Sequence, residues 1–171
     1  IQTATWNLKR KNKNPELSRN ITSIERMVEE SERVIGNLLS YSRLKESEKE
    51  QVELQHLLRE CVQSSRKLFP NKNLKIIEHI KKTKNKTFET DPVQLKEIIS
   101  NLLTNAYQSI PKGRKGRIEL SASVGRKYAT ITIADNGEGI KRKEAEKIYQ
   151  PFFSTKSKGT GLGLTVCKEL V

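Results

Sequence analysis

From Leu17 to Leu44 the chain contains no proline and a single glycine, Gly36. Ile21, Ile24, Val28, Ser31, Ile35, Leu38 and Ser42 recur through it at alternating spacings of three and four. That is the seam of one amphipathic helix. At 1.5 Å per residue such a helix is about 40 Å long, too long to curl inside a small globule. A chain of 171 residues that contains it must therefore combine an extended helical part with a compact remainder. Residues 1–10 also read as helical, and Lys11-Asn12-Lys13-Asn14-Pro15 breaks the run, with a turn before the long helix. Two amphipathic helices cannot cover both seams alone, so the hairpin predicts a partner. The serines at seam positions favour a bundle over a strict coiled coil.

After the charged stretch Lys45–Glu50 the periodicity changes. Val52 and Leu54 suggest a short strand, Leu57 to Leu68 an amphipathic helix ending before Pro70, and Leu74–Ile80 and Thr87–Thr90 two further strands. Asp91 followed by Pro92 is an N-cap and first-turn proline, and the helix they start carries Ile98, Ile99, Leu102, Leu103 and Ala106 to Pro111. Arg117–Val124 and Tyr128–Ala134 alternate as an antiparallel hairpin that delivers Asp135 at its end. A final helical run spans Thr160 to Val171. The pattern predicts an α+β chain: a helical hairpin, then a two-layer α/β sandwich on a mixed, largely antiparallel sheet.

Composition narrows the function classes. The formal net charge is +13, with the excess in the C-terminal two thirds. Its lysine clusters, at 81–86, 112–117 and 141–143, fall in loops and carry no interleaved aromatics on which bases could stack. This reads as a solvated basic surface and not as a nucleic-acid interface. Cys61 and Cys167 each sit in an amphipathic run, which predicts buried free thiols and a reducing compartment. No apolar run approaches a membrane span, so any membrane attachment is expected only through segments outside this chain.

Two glycine clusters carry the chemistry. Asp135-Asn136-Gly137-Glu138-Gly139-Ile140 and Gly159-Thr160-Gly161-Leu162-Gly163-Leu164 bracket Pro151-Phe152-Phe153-Ser154-Thr155-Lys156. The second cluster opens the last helical run, where free amides can face phosphate. Upstream, Glu97, Asn101 and Asn105 are spaced by four and share a helix face. Alone, that stripe reads better as a solvated face. Beside the glycine clusters it reads as a ligand set, because an amide carbonyl is a hard oxygen donor suited to Mg²⁺.

In this order Asn101-Leu-Leu-Thr-Asn105-Ala106, Asp135-x-Gly-x-Gly, Pro151-Phe-Phe-Ser-Thr-Lys156 and Gly159-x-Gly-x-Gly resemble the asparagine, first glycine, phenylalanine and second glycine boxes of sensor histidine kinases. These kinases belong to the gyrase, Hsp90, kinase and MutL superfamily. Gln108 and the Pro-Phe-Phe-Ser-Thr-Lys form are most similar to the nitrogen-regulation type. Glu32–Ile35 and Tyr41–Arg43 resemble the second helix of the family's dimerisation and phosphotransfer hairpin. The resemblance implies a truncated hairpin over residues 1–48 and a catalytic ATP-binding domain over 49–171 that stops before its last strands. It implies ATP and Mg²⁺ as cofactors, a homodimer through the N-terminal helices, a response-regulator receiver domain as partner and a cytoplasmic location.

Residue by residue, the resemblance makes Asn105 the Mg²⁺ ligand and Asp135 the acceptor for the adenine amino group. Gly137 and Gly139 let the backbone approach the base, with Gln108, Ile140 and Phe153 also in the nucleotide set. Thr155 and Lys156 belong to a lid near the phosphates, and Gly159, Thr160, Gly161, Leu162 and Gly163 supply amides to them. Asn101 and Lys156 are the expected catalytic residues. Where hydrolysing relatives have a water-activating glutamate, this chain has Asn101, and a carboxamide is a poor general base. Transfer to a protein acceptor is thus expected over hydrolysis, with a gyrase- or Hsp90-like ATP-gated machine, or a dimeric scaffold that no longer binds nucleotide, as the alternatives. The only histidines, His56 and His79, match no histidine box. Ile1-Gln2-Thr3-Ala4 resembles the segment just after that box, so the phosphoacceptor is expected to be missing and the chain unable to phosphorylate itself.

Overall fold

A computed structural model of the chain describes residues 2–11, 14–42, 47–69, 73–156 and 159–171, and divides into two compact units, Ile1–Arg43 and Leu44–Val171. Ile1, Asn12, Lys13, Lys45, Glu46, Pro70 and the side chains of Leu38 and Ser42, all named above, lie outside the described residues.

In the first unit α1 (Gln2–Lys11) packs against α2 (Pro15–Ser42), with Lys9 Nζ 2.8 Å from Glu25 Oε2. The long helix begins two residues before the expected Leu17. Pro15 is its first residue, since Asn14 Oδ1 accepts from the Glu16 amide at 2.9 Å and leaves the missing proline N–H without consequence. With 28 residues, α2 runs about 42 Å. Of its seam Ile21 is 3% exposed, but Ile24 and Ile35 are 46% and 55% exposed, and Met27 beside the seam is 60% exposed. An apolar stripe therefore faces outward from this unit.

The second unit is built from β1 (Glu50–Glu53), α3 (Leu54–Leu68), β2 (Leu74–His79), a 3-10 turn (Lys81–Thr83), β3 (Thr87–Thr90), α4 (Pro92–Ser109), β4 (Gly116–Val124), β5 (Ala129–Asp135) and α5 (Gly163–Leu170). β1 pairs antiparallel with β3, and a separate sheet runs β2-β4-β5, parallel at the first pairing and antiparallel at the second. This is the expected mixed, largely antiparallel sheet with helices on one face. Ile118, Leu120 and Ala122 of β4 point into a core with Leu57, Leu58 and Val62 of α3 and Ile99, Leu103 and Ala106 of α4. The alternate residues Ser123, Thr130 and Thr132 are exposed, as period-two alternation on a one-sided sheet demands.

Two placements fix α4. Asp91 Oδ1 accepts from the Val93 and Gln94 amides at 2.8 and 3.0 Å, while Oδ2 takes the Glu48 amide at 3.1 Å, so one cap starts the helix and anchors the segment before β1. Leu103, 0% exposed, sits in the middle of the helix against the sheet. Leu103→Ala should cost about 3 kcal/mol of unfolding free energy, from lost transfer energy and the cavity left behind. A lower urea midpoint at unchanged slope is the expected reading.

Candidate functional site

α4 presents a polar edge beside its buried one. Asn101, Asn105 and Ser109 are half-buried at spacings of four, each handed to a different part of the structure. Asn101 faces α5: a Cβ on Gly163 would lie 3.4 Å from its Oδ1, while the Cys167 thiol of the same helix donates to Ile98 O at 3.8 Å. Burial pushes the Cys167 thiol up to about 11, with the Glu97 charge acting the same way and the Asn101 side chain opposing. Cys61 is likewise a buried free thiol.

One turn on, Asn105 meets the loop before α5. Lys156 Nζ donates to Asn105 Oδ1 at 3.1 Å, Gln108 Oε1 at 3.1 Å and Asn105 O at 3.5 Å. Three neutral oxygens converge on one cationic group, which is the donor chemistry a hard metal ion requires. The residues thus fit Mg²⁺: Asn105 and Gln108 offer oxygens that already hold a positive charge. Lys156 is carried there by a tied loop. Ser154 Oγ accepts the Lys156 amide at 3.1 Å, and Phe152 donates its amide to Gly161 O at 3.1 Å. Gly161 has φ +69°, and a Cβ there would run into the backbone of Phe152 and Phe153.

At the end of α4, Ser109 meets the end of β5. Asp135 Oδ1 accepts from Ser109 Oγ at 2.7 Å and from the Gly137 amide at 2.8 Å. Asn136 continues the ladder with its side chain, Oδ1 accepting the Arg117 amide at 2.7 Å and Nδ2 donating to Lys115 O at 3.1 Å. Gly139 has φ +73° with open space beside it, and Ile140 is exposed.

The structure thus joins Asn105, Gln108 and Lys156 in one cluster and Asp135 with Gly137 in a second, one helical turn away. It does not bring Asn101 to Lys156. Thr155 is exposed, Phe153 half-buried, and Thr160 Oγ1 accepts the Leu162 amide at 3.4 Å, while the Leu162 side chain is 6% exposed. The expected helix start at Thr160 is corrected: α5 begins at Gly163, because positive φ at Gly161 is incompatible with a helical turn. Gly159, Thr160, Gly161 and Leu162 are therefore loop residues, and only Gly163 lies in the helix. Sequence reasoning missed Ser109 and Arg114. Ser109 carried a usable signal, being the next member of the four-residue stripe after Asn105; Arg114, which donates to Asn136 O and Gly137 O at 2.9 and 3.0 Å, carried none. A shallow concavity of about 610 Å³ lies instead over Ser121, Thr130, Thr132 and His79, without a glycine cradle.

The chain combines a helix-backed mixed sheet with glycine loops that meet a polar helix edge. Residues 90–171 match the family described as histidine kinase-, DNA gyrase B- and HSP90-like ATPase. The chain is 34% identical over 99 residues to sporulation kinase C of Bacillus subtilis, covering 58% of this chain and 23% of that protein. It is 40% identical over 83 residues to the sensor histidine kinase ZraS of Escherichia coli O157:H7, covering 48% and 18%. The chain thus spans less than a quarter of these relatives. Among solved structures, the nucleotide-free catalytic domain of the histidine kinase ThkA superposes with TM-score 0.64 at 27% identity, over 72% of this chain and 79% of that one. ThkA in complex with the response regulator TrrA shares the fold at TM-score 0.74 and 23% identity, over 99% and 48%. Residues 90–171, a little under half of the chain, are thus similar to histidine kinase ATPase domains. No helix among the described residues is long and apolar enough to cross a membrane.

Proposed function

We propose that this chain is the kinase core of a two-component sensor histidine kinase of the nitrogen-regulation type, which holds Mg-ATP for γ-phosphoryl transfer to a histidine and onward to a response-regulator aspartate. The observation that carries the reading is the pair of clusters on α4. Asn105 and Gln108 offer cation-binding oxygens one turn from Ser109, which holds the Asp135 carboxylate. Asp135 accepts from the adenine amino group, Gly137 and Gly139 keep the wall beside the base thin, and Ile140 and Phe153 border it. Asn105, beside Gln108, would hold Mg²⁺, which would supply neutralisation of phosphate charge. Lys156 leaves those oxygens when nucleotide enters and pairs with the phosphates, alongside Thr155 and the amides of Gly159, Thr160, Gly161, Leu162 and Gly163. Catalysis then rests on positioning and charge neutralisation. Asn101 holds α5 and provides no general base, which favours transfer over hydrolysis.

His56 is exposed on α3 beside Glu60, 3.2 Å away, and His79 is exposed on β2. Neither lies on the hairpin, so the chain holds a phosphoryl donor site without an acceptor. The outward stripe of α2 is the surface for a homodimer, a response-regulator receiver domain is the downstream partner, and the setting is cytoplasmic. Calorimetric titration tests the reading: ATP should bind more tightly with Mg²⁺ than without, and Asn105→Ala should remove about tenfold of that Mg-dependent affinity. Labelled ATP should leave no acid-labile phosphate on the chain. Rapid steady-state hydrolysis would instead place it with gyrase-like ATP-gated machines, and absence of binding would make it a scaffold.

A further inference from the structure

Ser109 lies in the last turn of α4, and a serine there ordinarily bonds back into its own helix. Ser109 Oγ does lie 2.7 Å from Ala106 O. The same oxygen is also 2.7 Å from Asp135 Oδ1, 26 positions further along the chain, which no local preference explains. The Ser109 carbonyl accepts the Glu138 amide at 3.0 Å, so main chain and side chain of one residue grip both sides of the Asp135–Glu138 turn. Gly137 is shaped by this grip. A Cβ there would collide with the Ser109 hydroxyl and lie 2.7 Å from Asp135 Oδ1. Arg114 closes the turn from outside through Asn136 O and Gly137 O.

The consequence falls on the carboxylate. The single hydroxyl proton goes to the carboxylate, the stronger acceptor of the two, so Oδ1 takes a hydroxyl and an amide, whereas Oδ2 has no hydrogen bond among the described residues. A carboxylate held at one oxygen cannot turn about its terminal bond, and its other oxygen is oriented before any ligand arrives. We propose that Ser109 is a positioning residue for base recognition: its hydroxyl holds Asp135 so that Oδ2 meets the exocyclic amino group of adenine, and it thereby sharpens selectivity for adenine over guanine. The inference rests on the ATP-binding reading above. Guanine presents a carbonyl oxygen where adenine presents its amino group, so an immobile Oδ2 faces an acceptor it cannot pair with. Without the hydroxyl the carboxylate can swing aside, and the wrong base meets less resistance.

The test titrates ATP, GTP and purine riboside triphosphate, which carries hydrogen in place of the 6-amino group, into the unmodified chain and into Ser109→Ala and Ser109→Thr. Ser109→Ala should weaken ATP binding about tenfold, change the purine riboside analogue less than about twofold, and narrow the ATP-to-GTP ratio. Ser109→Thr, which keeps the hydroxyl, should restore most of the ATP affinity. An equal loss for ATP and the analogue would show a packing role and overturn the proposal, as would unchanged ATP affinity in Ser109→Ala. Failure of the unmodified chain to bind ATP would instead refute the nucleotide-site reading itself.

Discussion

Asp135→Asn is expected to weaken ATP binding by about 100-fold, the scale of a hydrogen bond to a charged acceptor that is replaced by a mismatch. The substitution keeps the shape and removes one acceptor. Oδ1 now receives two donors, the Ser109 hydroxyl and the Gly137 amide. If the carboxamide oxygen takes that place, the NH2 group occupies the position of Oδ2 and meets the adenine amino group donor to donor. If the carboxamide flips, its NH2 faces the Gly137 N–H, and the mismatch moves into the turn. Either orientation leaves one clash, so rotation cannot rescue the variant. Calorimetry on the two proteins checks this, with the purine riboside analogue as control: an Asp135→Asn protein that binds ATP as tightly as the unmodified chain would refute the assignment of Asp135.

Gly161→Ala should detach the loop that carries Lys156. Gly161 combines φ +69° with close approach, and a Cβ would press into the Phe152 carbonyl carbon and lie 2.6 Å from Phe153 N and 2.7 Å from Phe152 O. All three are backbone atoms, which cannot turn away as a flexible side chain can. The left-handed conformation alone costs a non-glycine residue about 1 kcal/mol, and the collision adds to it, so about 3 kcal/mol of local stability is at stake. That is enough to break the Phe152 amide bond to Gly161 O and free the loop. Protease cleavage within residues 152–161 should rise sharply while the urea midpoint of the unit barely moves, and ATP affinity should fall with the loss of Lys156. Gly139→Ala is the matched control: φ is +73° there but nothing lies within 4 Å, so only the conformational cost applies. Equal protease resistance in the two variants would show that close packing at Gly161 is not what holds the loop.

Local chemistry made much of this legible from the residues. The Asp91-Pro92 start of α4, the β4–β5 hairpin and the alternation that buries Ile118 and Leu120 arise from hydrogen-bond caps and side-chain period, which depend on neighbours in the chain. The start of α2 is ambiguous in the residues alone, because Pro15 both disfavours helix before it and suits the first helical position. Only the Asn14 cap decides between these. The start of α5 at Gly163 depends on a positive φ at Gly161, which glycine permits but does not require.

Spacing and residue type along the chain were enough to name the groups that could take part: the four-residue polar stripe of α4, the two glycine clusters and the Pro-Phe-Phe-Ser-Thr-Lys segment between them. Packing assigned their partners. It sent Asn101 to α5, Asn105 and Gln108 to Lys156, and Ser109 to Asp135. A helix sets side chains on a common face through spacing alone. Which group lies opposite each of them depends on contacts 26 or more residues away in the chain, fixed only when the sheet and the loop before α5 pack onto that face.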